Sequence, residues 1–110
     1  MKERQVQNEI LRAFGTKRGM RLWRANVGVA RIGNRVVRFG LPGQADLTGI
    51  LPGGVRLEVE VKSADGRQTE EQRNFQRMIE RFGGVYVLVR SVEDVARALK
   101  AAGYEVEETP

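Results

Sequence analysis

Asp46, Glu60 and Lys62 are the residues of this chain whose types and spacing best suit chemistry. Two carboxylates can hold a divalent cation, and a lysine beside them can bring a compact charge to a nucleophile or a phosphate. The run Val55-Arg56-Leu57-Glu58-Val59-Glu60-Val61-Lys62 alternates apolar and polar residues. It predicts a strand with Val55, Leu57, Val59 and Val61 on a core face and Arg56, Glu58, Glu60 and Lys62 on the other. Ala45 to Leu51 reads as the partner strand, joined through Pro52-Gly53-Gly54. A three-residue loop there pairs Leu51 with Val55 and sets Asp46 opposite Glu60. A two-residue loop at Gly53-Gly54 shifts the register by one and turns Asp46 away. Like charges opposed on adjacent strands repel, so the first register asks for a cation between them. The simpler alternative is a solvated strand face. Glu58, one pleat from Glu60, is expected to form a salt bridge with Arg56 or Lys62.

Composition narrows the cation. The 110 residues include no cysteine and no histidine, which removes the usual zinc ligands and both Cys-His and Ser-His-Asp catalysis. Oxygen ligands remain, and Mg²⁺ or Mn²⁺ fits them. Apolar content of 41% with 6% aromatic suits one modest core. Residues 1–104 are expected to form a single domain, with 105–110 an acidic, frayed tail. No apolar run approaches the roughly 18 to 20 residues that span a bilayer, and the opening residues lack a signal-peptide core. A cytoplasmic setting is the expectation.

The net charge of +5 is unevenly spread. Residues 1–38 carry 10 Lys and Arg against 2 Glu, whereas residues 39–110 carry 9 against 12 acids. Arg21, Arg24, Arg31, Arg35 and Arg38 fall in or beside an expected hairpin, with Met20 to Asn26 and Asn34 to Phe39 as its strands and Gly28 and Gly33 between. Arginine forks bind phosphate bidentately, so this half is the expected polyanion face, with Arg24, Arg31, Arg35 and Arg38 as its contacts. The alternative is a basic surface that serves solubility alone. Trp23 is expected to be half-buried core rather than a stacking platform.

Positioning these residues needs an α/β framework. Val6, Ile10, Leu11 and Phe14 recur at helical spacing within Lys2 to Phe14, and Phe75, Met78, Ile79 and Phe82 within Thr69 to Phe82. Val85 to Val89 is a continuous apolar run expected to be a buried strand. Ser91 opens a last helix to about Ala102, with Asp94 closing a capping box. The order α-β-β-β-α-β-α gives a mixed sheet of four or five strands flanked by helices. Gln72 stands three residues after Thr69, so it can close a capping box, yet it also shares the inward stripe of Phe75 and Ile79. Glu3 falls on the apolar stripe of the first helix and Glu9 about 120° away, which makes Glu3 the better first-helix acid.

Gly40-Leu41-Pro42-Gly43-Gln44-Ala45-Asp46, Glu60-Val61-Lys62, Gln72-Arg73-Asn74-Phe75 and Gly83-Gly84-Val85-Tyr86 followed by Arg90-Ser91-Val92-Glu93-Asp94 together resemble the virus-type replication-repair nuclease (VRR-NUC) domain of the PD-(D/E)XK nuclease superfamily. The resemblance runs from Glu3 to about Leu99. It departs at Pro42, which Gly43-Gln44-Ala45 separates from Asp46. The resemblance implies a restriction-endonuclease-like core and metal-dependent hydrolysis of phosphodiesters. Asp46, Glu60 and the Val61 carbonyl would hold Mg²⁺ or Mn²⁺, Lys62 would orient the nucleophile or stabilise developing charge, and Gln72 and Glu3 would complete the site. It further implies a DNA substrate, branched as for Holliday-junction resolvases, and with it a two-fold homodimer. The alternatives are a nuclease acting on RNA and a non-catalytic nucleic-acid-binding module that kept the fold.

Overall fold

Glu3–Phe14 forms the opening helix α1 of the computed structural model, which describes residues 2–17 and 19–105. Val6, Ile10 and Phe14 of that helix are buried on one stripe. The chain continues through β1 (Arg21–Arg24), β2 (Gly28–Ile32), β3 (Arg35–Phe39), β4 (Leu47–Leu51), a short turn at Pro52–Gly54, β5 (Val55–Val61), α2 (Glu70–Arg81), β6 (Val85–Val89) and α3 (Val92–Ala101). It is an α/β domain with a mixed four-stranded sheet of order β1-β4-β5-β6 and three helices. Neighbours β1/β4 and β4/β5 run antiparallel, and β5/β6 run parallel with α2 as the crossover.

Period-two alternation sorts the strands onto two faces. Leu47, Leu51, Leu57, Val59, Val61, Val87 and Val89 join Val6, Ile10 and Phe14 of α1 and Val95 and Leu99 of α3 in the main core. Leu57, Val59 and Val61 are fully buried there, and truncating such a residue costs about 2–5 kcal/mol. On the opposite face α2 packs Phe75 and Ile79 against Ala45 and Tyr86. That smaller cluster covers only part of the face, and beyond it Trp23 and Ile50 are 45% and 48% exposed. Trp23 therefore lies on the outer side of an edge strand, a correction to its expected place in the core. Its neighbour Leu22 takes the buried position instead.

The basic hairpin also differs from the expected pairing. The two-residue Gly33-Asn34 turn joins Gly28–Ile32 to Arg35–Phe39, with Ile32 opposite Arg35, as a glycine-asparagine loop favours. These two strands form a separate ribbon, and Arg21–Arg24 instead lines up along β4, Leu22 opposite Gly49. Gly49 permits this approach, because a Cβ there would lie 2.1 Å from the carbonyl oxygen of Arg21. At the start of α3 the expected box is altered: Ser91 makes no side-chain cap, and the Asp94 carboxylate accepts the Arg90 backbone N–H at 2.9 Å. Of the acidic tail at 105–110, residues 106–110 lie outside the described residues.

Candidate active site

The turn at Pro52–Gly54 is a three-residue loop, and the β4/β5 ladder pairs Leu51 with Val55 and Leu47 with Val59. One step past Leu47, Asp46 comes level with Glu60, and its Oδ2 accepts the backbone N–H of Val61 at 2.8 Å. That contact fixes the carboxylate at the end of the sheet. Lys62 sends its N–H to the Val89 carbonyl, on the β6 side, at 3.0 Å. Successive residues of a strand address opposite edges, so the carbonyl of Val61 leaves on the side of Asp46. Two carboxylates and a main-chain oxygen thus converge there.

Glu60 is 3% exposed. Its Oε2 accepts from Gln72 Nε2 at 3.2 Å and lies 3.9 Å from Lys62 Nζ. Its Oε1 is buried and receives no hydrogen bond among the described residues. Burial, followed by the charge of Asp46, pushes the Glu60 carboxyl up to about 8, against the opposing pull of Lys62. Asp46 is raised too, by burial first, with the Val61 hydrogen bond working against it. Without a cation the pair therefore retains a proton at neutral pH. An orphaned, buried carboxylate oxygen beside a second acid fits a hard divalent cation. No group of three or more acidic side chains gathers closely enough to hold an ion among the described residues, so the pair would need the Val61 carbonyl and water to complete a coordination shell.

Gln72 holds both of its anticipated places. Its backbone N–H donates to Thr69 Oγ1 at 3.1 Å and its side-chain oxygen accepts the Thr69 N–H at 2.9 Å, closing the capping box. The remaining amide donor reaches Glu60. Glu3 accepts the Ser63 N–H at 3.0 Å, and its charge raises both Asp46 and Glu60. Glu9 is not among the charges acting on either acid. Glu58 is fully buried; its Oε2 meets Arg56 at 3.0 Å and accepts the Thr48 hydroxyl, while its Oε1, like that of Glu60, receives no hydrogen bond among the described residues.

The four arginines expected to touch nucleic acid do not form one patch. Arg24 belongs to β1, and its guanidinium donates to Gln7 Oε1 and, at 2.6 Å, to Asn8 Oδ1 of α1. Arg31 and Arg38 share one face of the ribbon with Val29 and Val36, while Arg35 lies on the other face with Ile32. All three ribbon arginines are exposed.

Two features were not singled out as functional from residue types alone. Arg90 enters the sequence reading only within the family resemblance, yet its guanidinium donates to the carbonyls of Ser63, Ala64 and Gly66, the last at 2.8 Å. It thereby fixes the loop leaving Lys62. Tyr86 lies opposite Glu58 on the site's face and receives Gln68 Nε2 at 3.3 Å, with burial raising its hydroxyl to about 12. Its position after Gly83-Gly84 was the available signal; the cross-strand row was not. No protein-family model matches this chain, and no curated protein matches it.

Proposed function

We propose that this chain is a metal-dependent phosphodiester hydrolase of the VRR-NUC type, with a restriction-endonuclease-like core and branched DNA as its substrate. The observation that carries the reading is the buried Glu60 beside the half-buried Asp46, with an orphaned Glu60 oxygen and Lys62 Nζ 3.9 Å from the same carboxylate. A surface strand has no use for a buried acid in register with a second one. Burial and the charge of Asp46 raise the proton affinity of Glu60 and destabilise the fold, a cost that makes sense where a cation relieves it.

Asp46, Glu60 and the Val61 carbonyl would hold the ion. When bound, Mg²⁺ or Mn²⁺ would supply positive charge to the phosphate and acidify a water. Lys62 stabilises charge developing on the phosphate or orients the nucleophile. Gln72 holds Glu60 in one orientation, and Glu3 with Arg90 fixes the loop after Lys62 from its two sides. The exposed arginines of the ribbon supply phosphate contacts that hold duplex arms without reading sequence. A junction substrate needs two active centres facing opposite strands, which a two-fold homodimer provides.

The test is cleavage of a labelled four-way junction, a flap and a linear duplex of shared sequence with Mg²⁺, Mn²⁺ or EDTA, for wild type and Glu60→Ala. Metal-dependent cutting that Glu60→Ala abolishes supports the hydrolase, and paired symmetric nicks in the junction support the dimer. Binding without cutting in either metal would replace this reading with a non-catalytic nucleic-acid-binding module.

A further inference from the structure

Between the root of the β2–β3 ribbon, the glycine-rich loop before β4 and the start of α2 lies a cavity of about 410 Å³, a size typical of small-ligand sites. Gln72 lines it and also donates to Glu60, so one residue joins the cavity wall to the acidic pair. Its wall is a built feature. Leu41 N–H donates to Gln44 Oε1 at 2.9 Å and Gln44 N–H to the Leu41 carbonyl at 3.0 Å, closing the loop on itself. Gly43, at φ +76, abuts α2 so closely that a Cβ would lie 2.2 Å from the Glu71 carbonyl oxygen. This loop holds Leu41 outward at 53% exposure, beside Val27 at 40% and Phe39 at 44%. Exposed apolar side chains on a rigid rim lower solubility and add nothing to the core, which marks such a patch for a ligand.

The chemistry of the lining selects the occupant. It offers an aromatic ring and aliphatic walls for a flat apolar body, and the amide nitrogen of Gln44, whose oxygen is held by Leu41 N–H, for a polar edge. Arg38 also lines it, and its guanidinium makes no hydrogen bond or ion pair among the described residues. Glu71 stands at the α2 end and disfavours a phosphate there, so the sugar-phosphate backbone lies toward the ribbon. We infer that the cavity binds an unpaired nucleobase stacked on Phe39, in the nucleotide next to the phosphate addressed by Asp46 and Glu60. A base inside a duplex has both faces stacked and cannot enter. The site thus selects strands that carry an unpaired nucleotide beside the point of cleavage. This placement rests on the hydrolase reading, whereas base binding itself does not.

The experiment measures equilibrium binding in EDTA, so that turnover plays no part. A short single strand containing 2-aminopurine and a fully paired duplex of the same sequence are titrated with wild type, Phe39→Ala, Phe39→Tyr and Leu41→Ala. Stacking on Phe39 predicts that Phe39→Ala weakens single-strand binding about tenfold and lessens 2-aminopurine quenching. Phe39→Tyr retains both, and duplex affinity is unchanged. Leu41→Ala, in an exposed loop, gives a smaller loss of the same pattern and guards against a folding defect in the Phe39 variant. Wild-type single-strand affinity in both alanine variants would overturn the inference, as would equal losses on single strand and duplex. A wild-type dimer that Phe39→Ala dissociates would also overturn it, by seating a second copy of the chain in the cavity. Base binding with no cleavage of any DNA would leave this site standing and sink the hydrolase; cleavage with base binding indifferent to Phe39 would do the reverse.

Discussion

Gln72 ties the start of α2 to Glu60: one side-chain amide donates to the carboxylate at 3.2 Å and its oxygen accepts the Thr69 N–H at 2.9 Å. A single residue therefore terminates a helix and orients an acid on the neighbouring strand. The coupling has a structural consequence, because any shift of the α2 cap moves the hydrogen bond that aims Glu60.

The two duties can be separated by mutation. Thr69→Ala removes the cap hydroxyl and should lower stability by about 1 kcal/mol, with DNA cleavage within about twofold of wild type. Gln72→Ala should cost a similar amount of stability and reduce cleavage by roughly tenfold or more, since Glu60 loses a donor that a cap substitution leaves in place. Thermal unfolding and single-turnover cleavage of both variants decide the matter. Equal cleavage rates would confine Gln72 to the cap.

Glu60 makes stability depend on pH in an unusual direction. Its folded-state carboxyl, at about 8, lies above its ordinary value of 4.5, so between those limits the folded protein binds more protons than the unfolded chain. Stability must then fall as pH rises through that window, and the upward shift of Asp46 acts in the same direction. In EDTA, the loss from about pH 5 to about pH 8 should be on the order of 3 kcal/mol from this site, and Glu60→Gln should remove most of it. Saturating Mg²⁺ should flatten the wild-type curve, because a cation takes the place of the retained proton. Urea unfolding across the pH series is the measurement. A wild-type curve as flat in EDTA as that of Glu60→Gln would show that neither burial nor Asp46 raises the Glu60 carboxyl.

Much of this site was legible before any fold was known. Reading Pro52-Gly53-Gly54 as a three-residue loop before the alternating run Val55 to Lys62 puts Asp46 level with Glu60, and the ladder has that register rather than the one a two-residue loop would set. The helices were readable from their apolar stripes, although Phe82, expected on the inward stripe of α2, is 82% exposed and only Phe75 and Ile79 of that helix are buried. What escaped was the partner of a four-residue strand. Arg21–Arg24 carries one buried side chain, too little pattern to choose between Arg35–Phe39 and Leu47–Leu51. The choice is made elsewhere, by the Gly33-Asn34 turn that satisfies the ribbon locally and by Gly49, which opens β4 to a close neighbour. Trp23 was misplaced for the same reason, since which face of an edge strand α2 covers depends on the crossover. The Arg90 contacts join positions 24 to 27 residues apart across the sheet end, and a single sequence has no pattern that reports them.

Lys62 should be required for turnover and dispensable for binding. Lys62→Ala is expected to slow cleavage at least about a hundredfold while leaving duplex affinity in EDTA within about twofold. The assay needs saturating Mn²⁺, because Lys62 also restrains the proton affinity of Glu60, and its loss weakens cation binding as a separate effect. Lys62→Arg should not restore the rate, since a planar fork cannot occupy the place of a compact ammonium 3.9 Å from the carboxylate. Cleavage by Lys62→Ala at the wild-type rate would remove the lysine from the mechanism.

The split among the arginines predicts which of them feel DNA. Arg31 and Arg38 project from one face of an exposed ribbon, and Arg24 is engaged by two side chains of α1. Each lost phosphate contact reduces the slope of log affinity against log salt by about 0.9. Arg31→Ala with Arg38→Ala should therefore flatten the duplex-binding slope by about 2, read by fluorescence anisotropy over a KCl series. Arg35→Ala, on the opposite face, should have a smaller effect unless the DNA wraps the ribbon tip. Arg24→Ala should leave the slope intact and instead lower stability by about 1 kcal/mol through its two lost hydrogen bonds. If Arg24→Ala flattens the slope and the Arg31/Arg38 pair does not, the phosphate-binding face lies along α1 and β1, and the ribbon serves the single-strand cavity alone.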